Sequence, residues 1–328
     1  LQPRDPATIR AVLAILLVTF PFFALVLCGY VAARRRALPH AAIPGLNTFV
    51  LYFALPCMLY RFGSTTLISD VLSVPLVGVY LFCAAVMVAF TIAVTLSRRI
   101  GWNDAAFGAL VGAFPNTGYM GVPLLVALLG PRAAGPAIVT ILVDLLFTSS
   151  LCIALSRLGG VGTHGAAVAA GNALKGVAAN PMPWAIVLGA TVSATGVKLP
   201  DPVTQTIGLL ADAASPVALF TIGAVLARSQ METTDRTPLV EYIPVALKKL
   251  VLHPLLVLLM GWSAISLGVP LDRFSLTVLV LVAALPSASN VVMLAERFGA
   301  EPGRIARIIL VSTVLAFGTF SGAVALMT

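Results

Sequence analysis

The chain has 328 residues, 59% of them hydrophobic and only 10% charged, whereas soluble domains carry about 25% charged residues. Lipid rather than water is therefore the solvent for most of its surface. The net charge of +8 comes from basic residues scattered through short loops, which argues against nucleic acid as a partner.

Apolar runs of 18 or more residues mark spanning helices, because a hydrocarbon core of about 30 Å takes about 20 residues at 1.5 Å each. The first such run, Ala11 to Ala33, has neither the basic start nor the small-residue cleavage site of a signal peptide and is read as a span. The chain begins at Leu1 rather than Met, so an upstream start is expected. Dividing the sequence at its charge, Gly and Pro clusters predicts spans at 9–33, 44–62, 74–97, 104–130, 134–157, 182–199, 203–227, 244–267, 272–299 and 303–327. The fold class expected is an all-α integral membrane protein of ten transmembrane helices. Ser156 to Asn180 is rich in Gly and Ala and reads as a linker. The expected organisation is residues 1–158 as a first five-helix unit, 159–181 as a cytoplasmic linker and 182–328 as a second unit.

Loops after odd-numbered spans, with the adjoining helix ends, hold fourteen of the twenty Lys and Arg residues. The positive-inside rule places these loops in the cytoplasm and both termini outside. An odd number of spans in each half then makes the halves opposite in orientation. Internal similarity appears at an offset of 171 residues, where 113–150 lies over 284–321 and pairs Pro115 with Pro286, Pro131 with Pro302 and Thr148 with Thr319. A weaker echo joins the second and seventh spans, where Pro56 precedes Gly63, and Pro216 precedes Gly223, by seven residues. Two inverted repeats are expected.

The fourth and ninth spans each contain a proline followed by small polar residues, Pro115-Asn116-Thr117-Gly118 and Pro286-Ser287-Ala288-Ser289-Asn290. Proline removes a backbone donor and clashes with the preceding turn, and Asn, Ser, Thr and Gly favour turns and caps. Each span should break there and restart as a half-helix. Freed backbone groups at that depth must face protein or a water-filled cavity, and paired breaks in inverted halves point to a transporter's binding site. Opposed half-helix N-termini would present partial positive charge to a carboxylate. The plainer alternative is a pair of proline kinks satisfied by neighbouring polar groups.

Asp144 and Asp212 lie inside predicted spans, where an acid is a proton carrier, a sodium ligand, the partner of a buried cation or a hydrogen-bonded packing residue. Lys248, Lys249, His253, Arg304 and Arg307 are candidates to face an anion, though helix-end cations mostly anchor at the headgroups. Arg307, the arginine placed furthest into a span, is the exception. Asn47, near the start of the second span, caps its helix or reaches the cavity.

The four cysteines, Cys28, Cys57, Cys83 and Cys152, stand singly without metal-ligand spacing, so no disulfide, metal or cofactor is expected. No nucleophile elbow, phosphate-binding Gly loop or HExxH motif is present, so no enzyme is expected.

Four segments carry a resemblance. They are NTFVLYFALPCMLY in the second span, NTGYMGVPLL at the first break, ASPVALFTIGAVLA in the seventh span, and AALPSASNVVMLAERFGA leading into RIARIILVSTVLAF. The chain resembles, over essentially its whole length, the auxin efflux carrier family, which includes plant auxin exporters and bacterial organic-acid carriers. The resemblance implies a ten-helix inverted-repeat fold with a scaffold and a moving transport domain, whose crossover helices, the fourth and ninth, meet at hinge prolines Pro115 and Pro286. It implies a substrate contact at Asn116, with Asn290 its counterpart. PSASN at the second crossover is most similar to bacterial members described as malonate transporters.

The expectation is a secondary transporter or facilitator of a small organic anion, malonate-like, working by an elevator movement in a bacterial-type inner membrane. Its anticipated substrate-binding residues are Asn47, Asn116, Thr117, Gly118, Ser287, Ser289 and Asn290. Asp144, Asp212 and Arg307 are candidates for ion coupling or charge pairing, with H+ and Na+ both open. Auxin-like or other monocarboxylates are the alternative cargo, and a dimer is expected by analogy. A membrane sensor that binds the anion without moving it is the rival from another class. It would be expected to carry a signalling domain, whereas the longest connection here is about 25 residues.

Overall fold

The computed structural model describes residues 6–65, 73–158, 178–232 and 237–328. The helices are α1 Pro6–Arg34, α2 His40–Thr65 and α3 Val74–Thr95, α4 Trp102–Ala113, α5 Thr117–Leu129 and α6 Pro131–Leu155. They continue as α7 Pro181–Thr195, α8 Asp201–Glu232, α9 Leu239–Ser266, α10 Arg273–Ala284, α11 Val291–Arg297 and α12 Pro302–Met327. No named strand occurs among the described residues. Among the described residues seven helices, α1, α2, α3, α6, α8, α9 and α12, are long and apolar enough to cross a membrane. The protein is therefore all-helical and multi-pass. Most of the expected linker, 159–177, lies outside the described residues.

Helix ends follow local chemistry. Asn180 caps α7 by accepting from the Met182 amide, with Pro181 in the first turn, and Gly196 ends the helix at φ 66°, a left-handed conformation that side chains resist. Asp272 caps α10 through the Ser275 amide.

The helices pack in two groups. In one, α1 crosses α8 and α2 crosses α7, with α2 also against α8. Both crossings are backbone to backbone. A Cβ on Gly29 would fall 1.8 Å from the Phe220 carbonyl oxygen, and one on Gly223 would fall 1.8 Å from that of Val26. Likewise Gly189 faces the Tyr60 carbonyl at 2.4 Å and Gly63 that of Ile186 at 3.1 Å. Small residues allow such approach where packing, and not the hydrophobic effect, drives helix association in lipid. The second crossing reproduces the first residue by residue at an offset of 160, since Val26, Gly29, Tyr60 and Gly63 correspond to Ile186, Gly189, Phe220 and Gly223.

The other group gathers α3 to α6 and α9 to α12 around the two prolines. Among the described residues, widened π turns lie within α2, α6 and α9 at Val50–Ala54, Asp144–Thr148 and Lys248–Leu252, and one at Thr117–Gly121 begins α5. Such turns displace the backbone ladder by one residue and often accompany function.

Candidate functional site

The residue before each proline is extended, Phe114 at φ −101°, ψ 99° and Leu285 at φ −62°, ψ 157°. The pyrrolidine ring disfavours helical geometry at the preceding position, so α4 stops at Ala113 and α10 at Ala284. The two extended stretches then cross and pair as an antiparallel bridge between Pro115 and Ser287. The Asn116 amide donates to the Pro286 carbonyl at 2.8 Å, and the Ala288 amide donates to the Phe114 carbonyl at 3.0 Å. Each break thereby satisfies backbone groups of the other, which apolar surroundings demand. The Ser287 amide reaches the Ser312 hydroxyl on α12 at 3.2 Å.

A cavity of about 30 Å³ opens beside this bridge, room for a water or two. Its walls come from the first break (Phe114, Pro115, Asn116, Gly118, Tyr119), the second break (Ala288, Asn290), Ile141 and Leu145 of α6, Leu55 of α2 and Met182 of α7. Thus the site brings Asn116, Gly118 and Asn290 together at one wall.

Thr117, Ser287 and Ser289 are buried beside the breaks but do not line the cavity. The hydroxyls of Thr117 and Ser287 are buried without a partner, one at each break. Asn47 sits on α2, donates to the Met293 sulfur at 3.0 Å and accepts from the Tyr119 hydroxyl at 3.3 Å. It bridges the first helix group to both breaks rather than facing the cavity.

The remaining candidates divide sharply. Asp144 is wholly buried and accepts from Tyr80 and Thr148, both at 2.9 Å. Asp212, placed inside a span by sequence, points outward instead, with a 70% exposed side chain paired to Arg61 at 2.6 Å. Hydropathy gives depth in a helix but not its rotation, and Asp212 shares the outer face of α8 with Leu209. Arg307 is half-buried, donates to the Thr237 carbonyl at 2.9 Å and lies 5.9 Å from the Tyr242 ring. The deeply buried arginine is Arg304, which donates to the carbonyls of Glu241 and Asp104 at 3.0 and 2.9 Å.

Lys249 and His253, read mainly as interfacial anchors, are wholly buried. Lys248 next to them is half-buried instead, lying 5.4 Å from the Phe90 ring. Adjacent helical residues point about 100° apart, and only packing decides which of them turns inward.

A sequence profile described as Membrane transport protein matches residues 14–159 and 168–323. The chain belongs to this family, that of the auxin efflux carriers. A Rhizobium meliloti (strain 1021) member named "Putative malonate transporter" is 32% identical over 304 residues, 92% of each chain. The Escherichia coli (strain K12) uncharacterized transporter YfdV is 27% identical over 283 residues, 85% of this chain and 86% of its own. An uncharacterized transporter of Methanothermobacter thermautotrophicus is 27% identical over 302 residues, covering 89% and 91%. This membership makes the chain a membrane transport protein and not an enzyme.

Proposed function

We propose that this chain is a secondary transporter of a small organic anion, held between the breaks at Pro115 and Pro286. The observation that carries the reading is the pairing of the two breaks beside a cavity walled by Asn116, Gly118 and Asn290. Amide side chains and the start of α5 offer hydrogen-bond donors and partial positive charge to a carboxylate. Two unpartnered buried hydroxyls, Thr117 and Ser287, stand ready for further bonds once the walls move. A malonate-like dicarboxylate is the preferred cargo, on the name of the Rhizobium relative, and other small carboxylates are the alternative.

Movement is part of the proposal because about 30 Å³ does not hold a dicarboxylate. Leu55 and Met182, from the group containing α1, α2, α7 and α8, close the cavity against the breaks. In the proposed cycle that group is the scaffold. The helices around the breaks form the transport domain, which slides in elevator fashion with the bound anion. The repeated glycine register at 160 residues supports the ten-span, inverted-repeat architecture. A bacterial-type inner membrane, termini outside, dimeric assembly and coupling to H+ or Na+ complete the proposal.

The test is uptake of labelled malonate into proteoliposomes. Asn116→Ala and Asn290→Ala should each lower the uptake at least tenfold in correctly inserted protein. Uptake equal to wild type in both variants would remove the site assignment.

A further inference from the structure

Behind the cavity lies a second cluster, fully buried and ionisable. Asp144 opens the π turn of α6 between Ile141 and Leu145, which line the cavity. Its two oxygens take hydrogen bonds from Tyr80 of α3 and from Thr148. Lys249, in the π turn of α9, donates to the Ala283 carbonyl at 2.6 Å and meets His253 Nδ1 at 3.2 Å. The rings of His253 and Tyr80 are 6.2 Å apart. His253 Nε2 is buried with no partner.

Ala283 is in the last turn of α10, whose carbonyl end carries the negative pole of the half-helix. Carbonyl ends of broken helices are where transporters seat a coupling cation. In this chain an ammonium group occupies that end. The Asp144 carboxylate's hydrogen bonds go to neutral hydroxyls, and Tyr80, which gives one of them, packs against the His253 ring that meets Lys249. Of the other ionisable groups on the helices packed here, Cys83 on α3 and Cys152 on α6 are buried, Lys248 lies against the Phe90 ring, and Arg132 on α6, Glu241 and Tyr242 on α9, and Arg304 and Arg307 on α12 stand in the first turns of their helices. Asp104 and Arg273 stand at the far ends of α4 and α10.

We propose that Asp144, Tyr80, His253 and Lys249 form a proton site, that Lys249 is a tethered replacement for a metal cation, and that protons accompany the anion. This rests on the transporter reading above. Without cargo, the Asp144 carboxylate balances the Lys249 ammonium. When one proton joins an Asp144 oxygen, the Tyr80 hydroxyl rotates from donor to acceptor, one negative charge is lost and Lys249 is left uncompensated. A carboxylate at the neighbouring cavity restores neutrality, so anion binding and protonation favour one another in a low-dielectric interior. Release of the anion expels the proton by the same linkage.

The experiment uses purified full chain in proteoliposomes with [14C]malonate, read two ways. Counterflow with malonate on both sides reports transport without any ion gradient. Uptake under an imposed gradient reports coupling. Wild type should show counterflow, at least fivefold faster uptake with acid outside than at equal pH, and no response to an inward sodium gradient. Asp144→Asn should retain counterflow at a lower rate and lose the response to pH. Tyr80→Phe, which deletes one bond to the same carboxylate, should displace the pH midpoint of uptake. A sodium-driven wild type, a full pH response in Asp144→Asn, or an unmoved midpoint in Tyr80→Phe would each overturn the proton site. Absence of wild-type counterflow with every C2 to C6 carboxylate would overturn the transport reading and this inference with it.

Discussion

At the residue scale, neighbours in sequence can have opposite fates. Lys248 and Lys249 differ by one position, yet one rides over an aromatic ring and the other is sealed inside, capping Ala283. Replacing Lys249 with Met would leave the Ala283 carbonyl without its donor and remove the contact with His253 Nδ1. An orphaned buried polar group costs about 1–3 kcal/mol, so Lys249→Met should lower the melting temperature in detergent markedly. Lys248→Met should change stability by less than about 0.5 kcal/mol, as surface substitutions do. Equal melting temperatures for the two variants would contradict the burial described. Arg304 invites a similar comparison. A Cβ on Gly108 would sit 3.1 Å from both terminal guanidinium nitrogens, so Gly108→Ala should disturb the bonds to Asp104 and Glu241 and weaken thermal stability. A variant as stable as wild type would show that the guanidinium can give way.

At the element scale, two features decide the architecture, the prolines that stop α4 and α10 and the glycines that let helices touch. Alanine at Gly29 or Gly223 would put a methyl group into a carbonyl oxygen of the facing helix. The helices would have to separate, and overpacking of this kind costs about 1–3 kcal/mol. Gly78 of α3 has nothing within 4 Å of its would-be Cβ, and there alanine should stabilise the helix by about 0.5–1 kcal/mol. Unfolding of Gly29→Ala, Gly223→Ala and Gly78→Ala side by side checks the sign of each. The echo of Pro56 and Gly63 in Pro216 and Gly223 was visible in sequence as spacing alone. Its physical content, a matched pair of backbone contacts, needed the facing helices in place.

At the scale of the whole molecule, contacts between the two helix groups are where movement would be controlled. Asn47 of α2 reaches Met293 of α11 and Tyr119 of α5, tying the first group to the restart of both broken helices. If the groups slide past one another during transport, these contacts must part in every cycle. Cysteines at positions 47 and 293, in a background lacking Cys28, Cys57, Cys83 and Cys152, should cross-link through a short bis-thiol reagent and stop malonate flux. Cleaving the linker should restore it. Flux that continues with the cross-link complete would show that no movement between these groups is needed.

The membrane class, the approximate positions of the helices and the two break points were legible in the chain itself. Length of apolar run, charge bias and the sterics of proline are local properties, and Pro115 and Pro286 act on their own neighbours whatever surrounds them. Tertiary structure decided everything that depends on rotation about a helix axis or on which helices meet. It turned Asp212 outward to Arg61 and Asp144 inward to Tyr80, and drew Lys249 and His253 into the interior. It moved Asn47 from cavity candidate to bridge. The π turns at Asp144 and Lys248 carry no sequence signal, because a one-residue shift in helix register is set by packing and not by composition.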